Sequence, residues 1–583
     1  MAQVTDPPAA GQTRQAGFAE PTPSALPVAA AAGCGLVLGL FEITNTSIGW
    51  HLASGRWMLA ERAVLRQDPF SFTAAGTPWV DHEWLFQVVV AVVEAAAGPT
   101  GLVLLRAAVA AALAALLFAL GRRQGLPPAA ALLFAVLAVW GARPRLFVRP
   151  ELATLVLLPL VLFLVLERPL PPARRLLLLA ALLALGANLH GGILAAGPLV
   201  VGIAAAQLAQ SWRQRRPLRP AALEAAATVA VTLAAPLANP FGWQLWAVPF
   251  RLAHLVGQPH VPNPEWRLST PAELPSLYLA LGLALLVMAL AERRLDRWLL
   301  LAMVAALALR HVRNLGIFFV VLPVVAGPAL AALARAADRR PLLRRALRAP
   351  GLAAVAAALV ALSAAAGDWP RFGLGYAAGW YPERAVDVLE GEGLGGLALY
   401  NDVRFGGYLV GRRFPGHQVF VDDRNEIHEP LLAEIHAILG SSDVARWEAM
   451  LGRHGIAAAL VRYHPPIRQL EPSGRVLGER GFSALWFPPE RWALLYWDDA
   501  AMLLVRRDAA PPELLARREY AVVRPDDLEH LARLLQRHPE LAPAAAAEVA
   551  RALREDPDGR RAAFAAELVG RALLLLSRAS AGA

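Results

Sequence analysis

The stretch DPFSFTAAGTPWVDHEWL, residues 68–85, is a polar island between two apolar segments of the chain. It places the titratable residues Asp81, His82 and Glu83 between the aromatic residues Trp79 and Trp84. Tryptophan is enriched where a membrane meets water. The stretch therefore predicts a long connection that follows the first membrane helix and lies at the membrane edge.

The composition indicates an integral membrane protein. Of 583 residues, 57% are apolar, the mean hydropathy is +0.44, and the apolar runs exceed what a core helix needs. The formal net charge of +10 comes from arginine, since the sequence contains no lysine. Basic connections between membrane segments account for this charge, so we do not expect nucleic acid as a partner. The single cysteine, Cys34, excludes an internal disulfide and a multi-cysteine metal site.

The apolar segments predict about eleven transmembrane helices. They lie near residues 25–43, 98–120, 128–142, 150–167, 176–188, 193–210, 221–237, 272–291, 298–310, 316–334 and 351–366. Arginine-rich connections alternate along this series, and such connections stay in the cytoplasm. We therefore expect a disordered cytoplasmic tail over 1–23, a transmembrane domain over 24–367, and a first extracytoplasmic loop over 44–97.

One connection departs from the charge rule. The segment GARPRLFVRPE, residues 141–151, is extracytoplasmic by parity yet carries Arg143, Arg145 and Arg149. Insertion scales put arginine inside a membrane at about 2.5 to 3.5 kcal/mol per residue. Two interpretations stay open: the arginines bind a phosphate or pyrophosphate, or they extend to the lipid headgroups.

The part of the chain after residue 367 has a different pattern. Helix-like and strand-like pieces alternate over 368–510, with strands near 396–400, 417–421 and 456–461 and a hairpin over 492–506 that turns at Asp498-Asp499. This pattern predicts an extracytoplasmic α/β domain. The segment 511–583 is predicted to be helical and amphipathic, and to cap that domain.

A series of segments resembles a known group of proteins. The order is WHLASGR, DPFSFTAAGTPWVDHEWL, RPRLFVRPEL, NLHGG, NPFG, PEWR, and then YNDVRFGGYL with VFVDDRNEIH. It resembles bacterial multi-pass membrane proteins related to the GT-C glycosyltransferase superfamily, which includes protein mannosyltransferases, aminoarabinose transferases and oligosaccharyltransferases. The resemblance covers residues 25–505 and implies a GT-C-like helical membrane domain followed by a smaller extracytoplasmic α/β domain with a helical C-terminus.

The resemblance also implies an activity. Such enzymes transfer a sugar from a polyprenyl-phosphate carrier to a lipid, glycan or protein acceptor, using a carboxylate in the first extracytoplasmic loop. We expect the protein in the inner membrane of a bacterial cell, with its N-terminus in the cytoplasm. An acceptor hydroxyl needs a general base, and the departing phosphate needs positive charge or a divalent metal.

The residues that match the motifs fall into four sets. The predicted base, or divalent-metal ligands, are Glu83 and Asp81. The residues predicted to face the donor phosphate are Arg145, Arg149 and Arg143. The polar residues predicted to line the same cavity are His51, His82, Asn188, His190, Glu265, His311 and Arg313. The residues predicted on the acceptor side are Asp402, Asp422 and Arg424.

Several alternatives stay open. Members of the bacterial group often have Asp just after the first membrane helix, where this chain has Asn45 and Ser47, so the protein could be altered or inactive. Asp402 could cap a helix, and Asp422 with Arg424 could form an ion-paired corner. The competing functions are a non-catalytic membrane scaffold or lipid-binding protein in envelope polysaccharide assembly, and a transporter or flippase. No clear inverted repeat supports the transporter.

Overall fold

The computed structural model describes residues 25–261, 264–337, 371–470 and 476–581. The predicted tail over 1–23 and the predicted transmembrane segment over 351–366 lie outside these residues. The N-terminal region is helical. Its helices are α1 (Ala25–Gly39), α2 (Ile48–Glu61), α3 (Trp84–Arg123), α4 (Pro128–Ala142), α5 (Glu151–Glu167), α6 (Pro172–Leu189), α7 (Ala196–Arg213), α8 (Leu218–Ala234), α9 (Gln244–Val256), α10 (Pro275–Ala291), α11 (Leu295–Arg310) and α12 (Leu315–Ala337).

Several of these helices have the length and composition of membrane spans. Among the described residues, five apolar stretches are long enough to cross a membrane: Trp84–Arg123, Pro172–Leu189, Gly191–Arg213, Leu218–Leu237 and Val312–Ala336. Ala25–Gly39 and Pro275–Ala291 are apolar but shorter. The chain therefore has the character of a multi-pass membrane protein. The count of about eleven crossings and their orientation stay predictions.

Helix α12 lies at the centre of the helical region. Its side chains Phe318, Val321 and Val324 are fully buried, in one apolar cluster with residues of α3, α4, α5 and α11. A helix that is apolar all round is stable in such a central position, whether its neighbours are helices or lipid. The ends of these helices carry the polar residues discussed below.

The predicted first loop over 44–97 is largely helical. Helix α2 occupies its first part, and the first fourteen residues of α3, Trp84–Ala97, occupy its last part. Helix α3 changes direction at Gly98, whose φ of 62° and ψ of −161° are outside the helical region, and Pro99 follows. The segments 44–47 and 62–83 have no helix, and the second of them contains DPFSFTAAGTPWVDHE. We call residues 40–83 the first connection from here on.

The region after residue 370 combines a small sheet with helices. Its strands are β1 (Leu399–Asn401), β2 (Ala458–Arg462), β3 (Ile467–Leu470), β4 (Val476–Arg480), β5 (Trp492–Trp497) and β6 (Ala501–Arg506). The main sheet has the order β1-β2-β6-β5, in which β1 and β2 are parallel and the other pairs antiparallel. Strands β3 and β4 form a separate hairpin.

Within the described residues of this region, nine α-helices accompany these strands. They are α13 (Glu383–Gly391), α14 (Val403–Arg413), α15 (Asn425–Ser441), α16 (Val444–Arg453), α17 (Phe482–Trp486), α18 (Pro512–Arg518), α19 (Leu528–Arg537), α20 (Ala542–Glu555) and α21 (Arg560–Ala581). The last three share an apolar core with the sheet, in which Trp492, Tyr520 and Leu531 are buried. The helical C-terminus therefore packs on the α/β region.

The strand predicted over 417–421 is absent from the sheet. Val419 instead forms an isolated parallel bridge with Ser71 of the first connection. The amide of Val419 donates to the carbonyl of Phe70 at 2.9 Å, and the amide of Phe72 donates to the carbonyl of Val419 at 3.1 Å. Because these backbone groups bond to the first connection, they are not available to the sheet.

The first connection and the α/β region pack closely. Helix α14 lies against α2, and a side chain at Gly407 would collide with the carbonyl oxygen of Thr46. Trp50, Phe70 and Trp79 belong to the same apolar cluster as buried residues of β2 and β6. The α/β region thus holds the connection that carries Asp81, His82 and Glu83.

Candidate active site

Glu83 lies between two imidazole rings. Its Oε1 atom is 3.5 Å from Nε2 of His82 and 3.8 Å from Nε2 of His190. Glu83 is the last residue before α3, and its side chain is 17% exposed. His190 lies in extended conformation between α6 and a 3₁₀ turn, Gly191–Ala195. Its Nδ1 atom is 2.8 Å from Oγ1 of Thr154 on α5, which fixes the orientation of the ring.

The two glycines of NLHGG make room for these rings. A Cβ atom on Gly191 would lie 2.8 Å from the ring of His82, and one on Gly192 would lie 2.5 Å from the ring of His190. Any side chain at either position would displace an imidazole. Helix α6 therefore ends just before His190, and the ring of His190 lies beside Glu83.

Burial determines the protonation of this group. It raises the pKa of Glu83 to about 8, and the carboxylate of Glu426 at the start of α15 acts in the same direction. Burial lowers the pKa of His82 and, more strongly, that of His190. Near pH 7 both imidazoles are therefore neutral, and Glu83 is mostly protonated.

Asp81 has a different environment from Glu83. Its side chain is 1% exposed, and Oδ1 accepts a hydrogen bond of 2.6 Å from Nε2 of Gln87 on α3. Burial raises the pKa of Asp81 well above its usual value. Of the two carboxyl groups predicted as base, only Glu83 has access to the space beside the imidazoles.

Two arginines of RPRLFVRPE converge on carboxylates near Glu83. Arg145 pairs with Glu151, Nη2 to Oε2 at 2.6 Å, and with Glu265, Nη1 to Oε1 at 3.0 Å. Arg149 pairs with the same Oε1 of Glu265 at 2.8 Å. Burial would raise the pKa of Glu265, but Arg149 and Arg145 outweigh it and lower that pKa to about 2. Glu265 therefore stays ionised and holds both guanidinium groups in place.

Arg313 completes this cluster. Its guanidinium carbon lies 4.5 Å from the centre of the Trp266 ring, a cation–π distance. Nδ1 of His311 is 2.7 Å from the carbonyl oxygen of Trp266. The start of α12 is thus attached to the PEWR segment that carries Glu265. We call Arg145, Arg149, Arg313, Glu151 and Glu265 the arginine cluster.

The remaining predicted cavity residues have supporting positions. His51 is 2% exposed and packs on Trp50 with ring centres 3.7 Å apart. Burial lowers its pKa well below the usual value, and Arg149 contributes. Oδ1 of Asn188 accepts a hydrogen bond of 2.8 Å from Nε1 of Trp84. His51 therefore packs against Trp50, and Asn188 fixes Trp84, the residue that follows Glu83.

Arg143 points to a different part of the protein. Its Nε atom donates to the carbonyl oxygen of Leu38 at 3.3 Å, and its guanidinium carbon lies 5.2 Å from the centre of the Phe41 ring. The structure thus places Arg143 at the end of α1 and apart from the arginine cluster. Its side chain is 8% exposed.

The residues predicted on the acceptor side make structural contacts. Arg424 pairs with Asp422, Nε to Oδ1 at 2.8 Å, and with Asp68, Nη1 to Oδ1 at 2.8 Å. All three side chains are at most 2% exposed. They therefore join the α/β region to the first connection and offer an acceptor no surface. This is the ion-paired corner that was the structural alternative for these residues.

Asp402 caps a helix. Its Oδ1 accepts from the amide of Arg404 at 3.1 Å at the start of α14, and its Oδ2 is 2.9 Å from Nε2 of His464. These contacts occupy both carboxylate oxygens. The geometry is that of the capping alternative for this residue.

The structure adds residues to the site that the sequence analysis did not single out. Glu151 and Thr154 come from the first turn of α5, and Glu426 comes from the first turn of α15. Acidic residues in a first helical turn are common because they favour the helix dipole, so their positions gave no functional signal. Glu426 is exposed and acts electrostatically on Glu83 and Asp81.

The carboxylates do not fit a divalent metal. Among the described residues, no group of three or more His, Cys, Asp or Glu side chains is arranged to hold a metal ion. Asp81 directs one oxygen to Gln87, while Glu83 faces the two imidazoles. The cations next to Glu83 are guanidinium groups. The positive charge beside Glu83 is therefore supplied by arginine side chains.

Asn45 connects the first connection to the arginine-containing segment. Its Nδ2 atom donates to the carbonyl oxygen of Val148 at 3.2 Å, and its side chain is 3% exposed. Asn45, at the position where the bacterial group often has Asp, therefore holds the backbone of Val148. Arg149 is the next residue after Val148.

Comparisons with known proteins place the fold. No family model matches the chain, and no curated protein sequence matches it. The chain is similar to the archaeal oligosaccharyltransferase AglB from Archaeoglobus fulgidus in complex with an inhibitory peptide and a dolichol-phosphate. The TM-score is 0.50 with 11% identity, over 92% of this chain and 83% of that one. The apo form of the Archaeoglobus fulgidus oligosaccharyltransferase gives a TM-score of 0.49 with 12% identity, over 87% and 82% of the two chains. The TM-score of 0.50 shows that the fold of this chain is similar to that of the AglB complex, with apolar helices followed by a smaller α/β region.

Proposed function

We propose that this protein is an integral membrane glycosyltransferase that transfers a sugar from a polyprenyl-phosphate carrier to an extracytoplasmic acceptor. The carrier contains one phosphate or two, and the acceptor is a lipid, a glycan or a protein. The proposal places the enzyme in the inner membrane of a bacterial cell, with the α/β region outside the cytoplasm. One observation carries it: Glu83 lies between two imidazoles and faces the arginine cluster, all at the ends of apolar helices.

Glu83 has the properties of a general base. A base works best when its pKa is near the operating pH, and burial brings the pKa of Glu83 to about 8. In its ionised form, Oε2 or Oε1 takes the proton of an acceptor hydroxyl as that oxygen attacks the anomeric carbon of the sugar. His190, oriented by Thr154, and His82 lie within 4 Å of the Oε1 atom of this carboxylate.

The arginine cluster stabilises the leaving group. As the acceptor oxygen bonds to the anomeric carbon, the bond from that carbon to the phosphate oxygen breaks and its electron pair stays on the phosphate. The negative charge that develops there is stabilised by fixed guanidinium groups in a partly buried site. Attack from the face opposite the phosphate inverts the configuration of the anomeric carbon.

The fold supports access for both substrates. The predicted spans Gly191–Arg213 and Val312–Ala336 begin next to His190 and Arg313, so a carrier in the membrane can present its phosphate there. The opposite side of Glu83 faces the exposed Glu426 of the α/β region. An acceptor can therefore approach from the water while the donor remains in the lipid.

The variant Glu83→Gln tests this function. It keeps the shape of the side chain and removes the base, so we expect polyprenyl-phosphate sugars to accumulate in the membranes of cells that carry it. Mass spectrometry of extracted lipids measures the accumulation. Glu94→Gln is the matched control, because Glu94 lies on α3, which directly follows Glu83, and pairs with the exposed Arg56. Unchanged lipid-linked sugar pools and an unchanged envelope glycan profile, at normal protein levels, would contradict the enzymatic function.

The same experiment separates the enzyme from a non-catalytic protein of this fold. Asn45 in place of Asp is the observation that favours the non-catalytic alternative, as a scaffold or lipid-binding protein. A scaffold that uses the arginine cluster would lose function on substitution of Arg149 but not of Glu83. A glycosyltransferase loses function on either substitution.

A further inference from the structure

All three guanidinium nitrogens of Arg145 contact carboxylates. Its Nε and Nη2 atoms bond to the two carboxylate oxygens of Glu151, and its Nη1 atom contacts Glu265. The side chain is 5% exposed. Arg145 is therefore a positioning residue, which holds Glu265 in place for its neighbours.

Arg149 and Arg313 retain donors. The side chain of Arg149 is 23% exposed, and its ion pair with Glu265 is made through Nη1. Arg313 is partly exposed and lies over the Trp266 ring, and within the described part of the chain it pairs with no carboxylate. These two guanidinium groups are the ones that a phosphate can reach.

The net charge of the arginine cluster is small. Three guanidinium groups face two carboxylates, those of Glu151 and Glu265, so one positive charge remains. Near pH 7 Glu83 is mostly protonated and adds little negative charge, and Glu426 is exposed and forms no ion pair with the arginine cluster in the described part of the chain. The site can therefore balance one negative charge on a ligand.

The number of phosphates in the carrier decides whether the charges match. A sugar linked through one phosphate carries one negative charge at pH 7, whereas a sugar linked through pyrophosphate carries two. A second negative charge would be partly buried without a partner beside the carboxylates of Glu151 and Glu265, which is unfavourable.

We infer that this site selects a carrier with a single phosphate, bound by Arg149 and Arg313, and discriminates against a pyrophosphate carrier. The inference rests on the proposed function, because it takes the arginine cluster as the donor site. It goes further than that function by naming the chemical class of the donor and by separating the two arginines that bind it from Arg145, which positions them.

Binding measurements on the full chain in lipid nanodiscs test the inference. The probes are a polyprenyl methyl phosphate diester, the corresponding methyl pyrophosphate diester, and the polyprenol. We expect the phosphate diester to bind about tenfold or more tightly than the pyrophosphate diester, a difference set by one unpaired charge. Tighter binding of the pyrophosphate diester by the natural protein would overturn the inference.

A charge substitution tests the cause of the preference. Glu265→Gln raises the net charge of the arginine cluster by one, so we expect the ratio of the two dissociation constants to shift about tenfold toward the pyrophosphate diester. Glu273→Gln is the matched control, because Glu273 pairs with Arg267 on the surface, and should leave the ratio unchanged. A ratio that Glu265→Gln leaves unchanged, in a variant that still binds both diesters, would overturn the inference.

The two proposals fail in different ways. Transfer by the purified protein from a pyrophosphate carrier in preference to a phosphate carrier would overturn the inference and support the glycosyltransferase function. Selective binding of the phosphate diester without transfer from any lipid-linked sugar would overturn the function and support the inference about the anion that the site binds.

Discussion

The Nη1 atom of Arg424, in the α/β region, lies 2.8 Å from Oδ1 of Asp68, in the first connection. Both side chains are nearly inaccessible, and the guanidinium carbon also lies 4.8 Å from the centre of the Trp79 ring. The neighbouring Asp423 accepts hydrogen bonds from Thr46 and from Nε1 of Trp50. Because α15 starts directly after these residues, the same contacts bring Glu426 toward Glu83. The α/β region thus contributes to the geometry of the candidate site.

Arg424→Met should destabilise the protein strongly. It would leave the carboxylates of Asp68 and Asp422 buried without their cation, and breaking a buried ion pair in this way costs about 3–5 kcal/mol. Thermal unfolding in detergent measures the loss. Arg453→Met is the control, since Arg453 is 59% exposed and pairs with Glu434 on the surface, where a pair contributes about 0–1 kcal/mol. Equal losses in the two variants would show that the corner does not join the two regions.

Gly192→Ala should lower the transfer rate while the protein remains folded. The added Cβ would lie 2.5 Å from the ring of His190 and 3.1 Å from Oγ1 of Thr154, so the imidazole must move away from Glu83. A misplaced catalytic group can reduce the rate about 100-fold. Gly282→Ala, in α10, is the control, because a Cβ there meets nothing within 4 Å. A transfer rate that is the same in both variants would contradict the role of His190.

The rate of transfer should rise with pH toward a plateau. Burial raises the pKa of Glu83 to about 8, and only the ionised carboxylate can accept a proton. The pH profile of kcat/KM for the purified protein should therefore show an apparent pKa of about 8 on its acidic limb. An apparent pKa of about 4 to 5 would show that Glu83 is not the base or is not buried in the active form.

The stability of the protein should depend on pH through the same group. The folded protein holds a proton on Glu83 up to about pH 8, whereas the unfolded chain releases it near the ordinary value of 4.5. The folded state binds more protons between these values, so the free energy of unfolding falls as the pH rises from about 4.5 to about 8. Glu83→Gln removes this contribution, and the difference in stability between the variant and the natural protein should grow in favour of the variant over that range. A pH-independent difference would contradict the burial of Glu83.

The sequence predicted the helices and the convergence of site residues more readily than their contacts. Apolar length and arginine parity predicted that Glu83, His190 and Arg149 would share one side of the membrane, and the structure brings them together. The alternation of arginine-rich connections assigned Arg143 and Arg149 to the same side of the membrane and could not tell that their side chains diverge. A 3₁₀ turn at Arg143–Arg145 separates them, and such short turns have no periodic signal in the sequence.

Contacts between residues that are far apart in the chain could not be predicted from the sequence either. The segment 417–421 has the composition of a strand, but its backbone pairs with Phe70 and Phe72 and not with the sheet. Alternation predicts extended backbone, while the choice of partner depends on how the first connection folds. For the same reason, Asp422 and Arg424 looked like ligand residues at a strand end, whereas Asp68 occupies the guanidinium.

The most direct test uses the purified full chain and the lipid-linked sugars that accumulate in Glu83→Gln cells. These lipids are added to the natural protein in nanodiscs, and the release of the polyprenyl phosphate is followed by mass spectrometry. We predict that the natural protein and Glu94→Gln consume the lipid-linked sugar in the presence of an envelope acceptor fraction, and that Glu83→Gln does not. Consumption of the lipid-linked sugar by Glu83→Gln at the rate of the natural protein would contradict the assignment of Glu83 as the general base.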